Sequence, residues 1–231
     1  MERYLRSLAA IVEVRVLAGW VALGGTIWLF LQLAGEVTEG DTDALDRKLF
    51  FLMRVHGRPT EPIGPPWLQE AMRDVTALGG FTLVTTICVA GVVGLLLYKR
   101  FRHAVVLAGT TIGAQLSADM LKMFYDRARP DLVLHTVRVY SQSFPSGHST
   151  TATATYFTIA VMVSTLDTQR RAKLFAFFLA GLVAFSVGVS RVYLGVHWPS
   201  DVIAGWTVGG SWALGAWMVL SRPPSPHLRR E

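Results

Sequence analysis

Residues 77–98 read ALGGFTLVTTICVAGVVGLLLY, a run with no charged side chain. An α-helix rises 1.5 Å per residue, so about 20 apolar residues span the hydrocarbon core of a bilayer. This run meets that length. It also lacks the polar face that a soluble surface helix of the same size would need.

Five comparable blocks flank it: 16–36 (VLAGWVALGGTIWLFLQLAGE), 103–121 (HAVVLAGTTIGAQLSADML), 149–166, 173–194 and 202–220. The block at 149–166, STTATATYFTIAVMVSTL, is the least apolar, and its small and hydroxyl side chains suit a helix packed among other helices. The chain of 231 residues is 52% hydrophobic and 16% charged, against roughly 25% charged in an average soluble protein. The expected fold is therefore all-α: an integral membrane bundle of six transmembrane helices, one domain over 1–231.

Charge sets the expected orientation. Arg3, Arg6 and Arg15 precede the first block, KRFR (99–102) follows the second, RRAK (170–173) follows the fourth, and Arg222, Arg229 and Arg230 close the chain. With six spans these clusters share one side, which the positive-inside rule makes cytoplasmic, with both termini there. The net charge of +6 then reflects lipid headgroups and topology and calls for no nucleic acid. No cleavable leader is expected, because the first apolar block is too long for a signal sequence. The single cysteine, Cys88, excludes an intrachain disulfide.

Between the first two spans, 37–76 contains DALDRKLFFLMRV and PPWLQEAMRDVTAL, whose apolar residues recur at helical spacing. These predict two amphipathic helices at the outer interface.

Three polar stretches fall at the outer ends of the later spans: KMFYDRARP (122–130), PSGH (145–148) and SRVYLGVHWPSD (190–201). Lys122, Arg129 and Arg191 supply three cations, and guanidinium forks match phosphate oxygens. Ser146 and Gly147 precede a helix, where unsatisfied N–H groups and the helix dipole favour an anion. Pro199 suits a first helical turn, which places Asp201 about one turn from His197. Asp119, near a span end, is expected to pair with a nearby cation.

The set K-x6-RP, PSGH and SR-x5-H-x3-D resembles the signature of the type-2 phosphatidic acid phosphatase (PAP2) superfamily, and every position is matched in order over 122–201. The resemblance implies a lipid phosphatase acting on a phosphomonoester or diphosphate such as phosphatidate, phosphatidylglycerophosphate or undecaprenyl diphosphate. It implies that His197 is the nucleophile forming a phosphohistidine, that Asp201 orients it, and that His148 is the general acid and then the base for water. Lys122, Arg129, Ser146, Gly147 and Arg191 would bind phosphate. Arg127 resembles an extra family arginine and is a further candidate for phosphate contact.

No metal or other cofactor is expected, since no metal-binding motif accompanies the histidines. The partners expected are the lipid phosphate and membrane lipids. A phosphotransferase would share the first half-reaction. A transporter or lipid-binding protein would have no use for the two histidines with Asp201. The short loops and basic bias suit a bacterial inner membrane with the site facing the periplasm or exterior.

Overall fold

The computed structural model describes residues 2–130, 142–166 and 169–221, so the basic tail lies outside the described residues. Among the described residues the chain forms α1 (Glu2–Glu39), α2 (Asp43–Phe51), β1 (Arg54–Val55), β2 (Arg58–Pro62), α3 (Pro66–Ala77), α4 (Phe81–Leu97), α5 (Phe101–Tyr125), α6 (Gly147–Leu166), α7 (Arg170–Tyr193) and α8 (Pro199–Leu220).

All six apolar blocks are helical. Four helices, α1, α5, α7 and α8, are long and apolar enough to cross a membrane, and α3 with α4, bent by 43° at their junction, gives a fifth candidate. Helix α6 is not among them, so length and composition support four or five spans where six were expected. Its packing supplies the reason. Helix α6 lies against α5, α7 and α8, and Ser149, Thr150, Thr151, Thr153, Thr155 and Thr158 are all buried. Several of these hydroxyls are satisfied locally: Thr150 Oγ1 donates to the Ser146 carbonyl at 2.9 Å, and the Thr111 and Thr155 hydroxyls meet at 3.1 Å. A helix walled by protein does not need a lipid-facing surface.

Helices α6 and α8 approach backbone to backbone. A methyl group on Gly205 would lie 2.7 Å from the Ser146 carbonyl oxygen, and one on Gly209 would lie 2.5 Å from that of Thr150. This contact ties the PSGH turn to the start of α8. The ends of α5 and α7 and the starts of α4, α6 and α8 meet at the same face of the bundle.

The segment between α1 and α4 covers that face. Its two expected helices are present as α2 and α3, but the antiparallel hairpin β1–β2 between them was not anticipated. Helix α3 buries no side chain completely, whereas α2 buries Asp46 and Phe50. Phe50 packs with Val192 and Val202, a burial worth about 1.5–3 kcal/mol. Arg54, at the foot of the hairpin, donates to the carbonyls of Tyr193 (2.9 Å) and Val192 (3.1 Å) and lies 4.1 Å from the Phe50 ring centre. A cation there complements the C-terminal dipole of α7. Burial lowers the pKa of Arg54 to about 10, which leaves it charged at neutral pH. Helix α2 is thus docked on the bundle through α7 and α8.

Candidate active site

Asp201 organises the site from the first turn of α8. Its Oδ2 accepts the Trp198 backbone N–H at 2.9 Å, closing a capping box at the helix start. The same oxygen accepts the Ser143 hydroxyl and lies 3.3 Å from His197 Nδ1. Oδ1 accepts Arg127 Nη1 at 2.7 Å. The carboxylate is fully buried, so these donors substitute for water.

His197 is 2% exposed, and its Nε2 lies 3.2 Å from Arg129 Nη1. A guanidinium can only donate, so Nε2 accepts, and the ring proton resides on Nδ1 and points to Asp201. Burial lowers the His197 pKa to about 3; Asp201 opposes this, and Arg191 and Arg129 reinforce it. The imidazole is therefore neutral at physiological pH, with its Nε2 lone pair directed at the Arg129 guanidinium.

Cations surround it. Arg129 also donates to the carbonyls of Val196 (2.6 Å) and Gln142 (3.2 Å), and burial lowers its pKa. Arg191 Nη1 donates to Thr76 Oγ1 at 3.0 Å, while its buried Nε has no hydrogen-bond partner. Lys122 comes from the last turn of α5, and a methyl group on Gly147 would lie 3.3 Å from its Nζ. Glycine at that position lets the ammonium approach the start of α6. His148, in the first turn of α6, lies within electrostatic reach of Arg191, His197, Lys122 and Arg129. Lys122, Arg129, Gly147, His148, Arg191, His197 and Asp201 thus gather at one place.

Arg127, Ser146 and Asp119 have protein partners of their own. Arg127, a further candidate for phosphate contact, is held by protein: Nη2 pairs with Asp46 Oδ2 at 2.8 Å, and Nη1 pairs with Asp201 Oδ1 and Ser200 Oγ, both at 2.7 Å. Burial works against its charge, but the carboxylates of Asp201 and Asp46 outweigh this and raise its pKa. Ser146 is wholly buried; its N–H donates to the Asp201 carbonyl at 2.9 Å, and its Oγ accepts from the Ser149 hydroxyl at 3.0 Å. It fastens two motifs together and has no N–H left over for an anion. Asp119 accepts from Gln115 at 2.8 Å and also lies within electrostatic reach of Lys122, a nearby cation of the kind expected.

Asp46, Ser143, Ser200 and Thr76 belong to the site and were not anticipated. None lies within the three motif stretches except Ser200, and a lone serine beside Pro199 signals nothing more than a helix start.

Among the described residues no group of three His, Cys, Asp or Glu side chains is placed to hold a metal ion. Two apolar grooves of about 720 and 890 Å³ are lined by none of the motif residues. A cavity of about 170 Å³, lined by Phe81, Thr85, Thr111, Gln115 and Thr151, opens between α4, α5 and α6, one turn from His148.

The chain is similar to known proteins in both sequence and fold. Residues 102–223 match the model of the PAP2 superfamily. Phosphatidylglycerophosphatase B of Bacillus subtilis (strain 168) is 35% identical over 148 residues, which cover 64% of this chain and 72% of that protein. The lipid A 1-phosphatase of Rhizobium etli is 34% identical over 49% of this chain and 48% of its own length. The crystal structure of the transmembrane PAP2 type phosphatidylglycerolphosphate phosphatase from Bacillus subtilis superposes with a TM-score of 0.74 at 29% identity, covering 86% of this chain and 94% of that one. The family match takes in all three motif stretches and every cation around His197, and this multi-pass membrane chain belongs to the PAP2 superfamily.

Proposed function

We propose that the protein is an integral-membrane lipid phosphatase that hydrolyses a lipid phosphomonoester or diphosphate through a phosphohistidine. Candidate substrates are phosphatidate, phosphatidylglycerophosphate and undecaprenyl diphosphate. The observation that carries this reading is the neutral His197, with Nδ1–H on Asp201 and Nε2 beside Arg129.

In the first step the Nε2 lone pair attacks phosphorus and the bond to the leaving oxygen breaks. His148 donates its proton to that oxygen. In the second step His148 takes a proton from water, the water oxygen attacks phosphorus, and inorganic phosphate leaves with His197 restored. Asp201 keeps the Nδ1 proton in place and stabilises the cationic ring of the intermediate. Lys122, Arg129 and Arg191, with the N–H groups at the start of α6, hold the phosphoryl oxygens. The unpartnered Nε of Arg191 gives one donor for them. Ser146 and Arg127 support the cradle from behind.

The working unit is the whole bundle with its outer segment. Six spans would put both termini in the cytoplasm and the site at the outer face of a bacterial inner membrane, in line with the basic clusters at 99–102 and 170–173. A comparison of kcat/KM on phosphatidate, phosphatidylglycerophosphate and undecaprenyl diphosphate in detergent identifies the lipid. The reading fails if none releases phosphate.

A further inference from the structure

We infer that Asp46, on the outer helix α2, is a positioning residue that acts on the nucleophile through Arg127 and Asp201. The inference deepens the phosphohistidine reading and rests on it.

The connection is continuous. Asp46 Oδ2 pairs with Arg127 Nη2 at 2.8 Å and accepts the Ser200 hydroxyl at 2.5 Å, while Oδ1 accepts the Ser200 backbone N–H at 2.9 Å. Arg127 Nη1 bridges to Asp201 Oδ1 at 2.7 Å, and Asp201 Oδ2 faces His197 Nδ1 at 3.3 Å. Asp46 is 3% exposed, Ser200 4% and Asp201 0%, so solvent does little to screen the chain of charges.

Two consequences follow from these contacts. The first is mechanical. Asp46 accepts an orphan N–H of the first turn of α8 from outside the helix, while Asp201 accepts the Trp198 N–H from within it. Both carboxylates therefore fix the turn that carries His197. The second is electrostatic. Two buried carboxylates share one guanidinium, with the exposed Asp43 a further 3.5 Å partner, so the group keeps a net negative charge. When His197 takes the phosphoryl group and retains its Nδ1 proton, the ring becomes cationic. An Asp201 paired only with Arg127 would have its charge largely cancelled. Asp46 draws on the same guanidinium and leaves Asp201 more negative toward the ring.

A residue acting this way should affect the chemical step and spare substrate binding, because Asp46 contacts none of the cations of the cradle. A merely structural residue would change the fraction of folded enzyme and leave the rate per active site alone. Rapid-quench trapping of ³²P on the enzyme, normalised to burst amplitude, separates the two. Asp46→Asn should slow phosphoenzyme formation about tenfold or more, the typical scale of a lost charge-assisted hydrogen bond, with KM within about twofold of wild type. In an Arg127→Lys background, which loses the fork joining the two carboxylates, the same substitution should cost about threefold or less, since neighbours in one network are not additive. If Asp46→Asn does not fold, Asp46→Glu keeps the charge but displaces its oxygens by one methylene, and it should show the same selective loss in rate. A wild-type rate per active site in the folded variant, or equal costs in both backgrounds, would overturn the inference. If the wild type itself traps no phosphate on His197, the phosphohistidine reading fails before Asp46 is tested.

Discussion

Arg129 Nη1 stands 3.2 Å from His197 Nε2, so the nitrogen that would attack phosphorus already faces a cation of the phosphate cradle. The arrangement is compatible only with a neutral ring at Nε2. It also fixes a pH dependence. The folded-state pKa of His197 is lowered to about 3 by burial, below the ordinary histidine value of 6.5 that applies to the unfolded chain. Below about 6.5 the unfolded state binds the proton more readily, so His197 destabilises the fold progressively as pH falls from about 6.5 toward 3. The expected outcome is a thermal midpoint that drops more steeply between pH 7 and pH 4 in wild type than in His197→Asn. Parallel curves in detergent would show that the ring is not held neutral by burial.

The close approach of α6 and α8 predicts an activity loss without touching a polar group. A Cβ on Gly205 would meet the Ser146 carbonyl, Ser149 Cβ at 2.8 Å and the Thr150 nitrogen at 3.2 Å, mostly backbone that has nowhere to go. Gly205→Ala should cost about 1–3 kcal/mol by overpacking. Displacing the PSGH turn by about 1 Å should lower kcat by about a hundredfold. Gly210, five residues further along the same helix, has nothing within 4 Å of a Cβ. Gly210→Ala should be neutral or stabilising by up to about 1 kcal/mol through helix propensity. Equal behaviour of the two variants would remove helix contact as the cause.

In the proposed mechanism, charge stabilisation by Lys122, Arg129 and Arg191 takes the place that a divalent cation fills in other phosphoryl-transfer sites. Phosphate release should accordingly persist in excess EDTA. Vanadate should inhibit competitively, because its five-coordinate form resembles the phosphorus centre in transit. An enzyme silenced by EDTA and restored by Mg²⁺ would contradict the assignment.

The sequence made the motif residues legible because their chemistry is local: cations at helix ends, a glycine before a helix, a histidine and an aspartate one turn apart. The helical blocks were equally plain. Hydropathy is an incomplete guide to α6, whose buried threonines face protein, Thr150 and Thr151 bonding to carbonyls one turn back and Thr155 to Thr111 of α5. Asp46 and Arg54 were illegible for a different reason. Each is an ordinary charge in an amphipathic stretch until the tertiary fold supplies its partner, Arg127 for one and the end of α7 for the other. The partners of Arg127 were illegible for the same reason, since the two buried carboxylates that hold it, Asp46 and Asp201, come from distant parts of the chain.

Orientation is open to a direct labelling test. In a Cys88→Ser background, cysteines replacing Tyr98, at the α4–α5 turn, and Arg58, in the hairpin, should react from opposite sides of intact cells. Both positions are exposed. An impermeant maleimide should label position 58 after outer-membrane permeabilisation where such a membrane exists. It should reach position 98 only after the inner membrane is opened. Reversed labelling would place the site in the cytoplasm.

The two histidines should fail differently. If His197 attacks phosphorus, its loss removes the covalent route, and His197→Ala should be inactive on every substrate. His148 has another task, and its importance should scale with the basicity of the leaving oxygen. A lipid alkoxide needs a proton as it departs, and general acid catalysis is typically worth about 10²–10⁴-fold. A nitrophenolate leaves unaided. His148→Ala should therefore retain the first step on p-nitrophenyl phosphate far better than on phosphatidate. The same variant should accumulate phosphohistidine, because the residue that activates water is gone. Single-turnover rates are the proper comparison, since slow breakdown of the intermediate would otherwise mask a fast first step. Equal losses on the two substrates would mean that His148 is not the acid, and phosphate trapped on His148 would exchange the two roles.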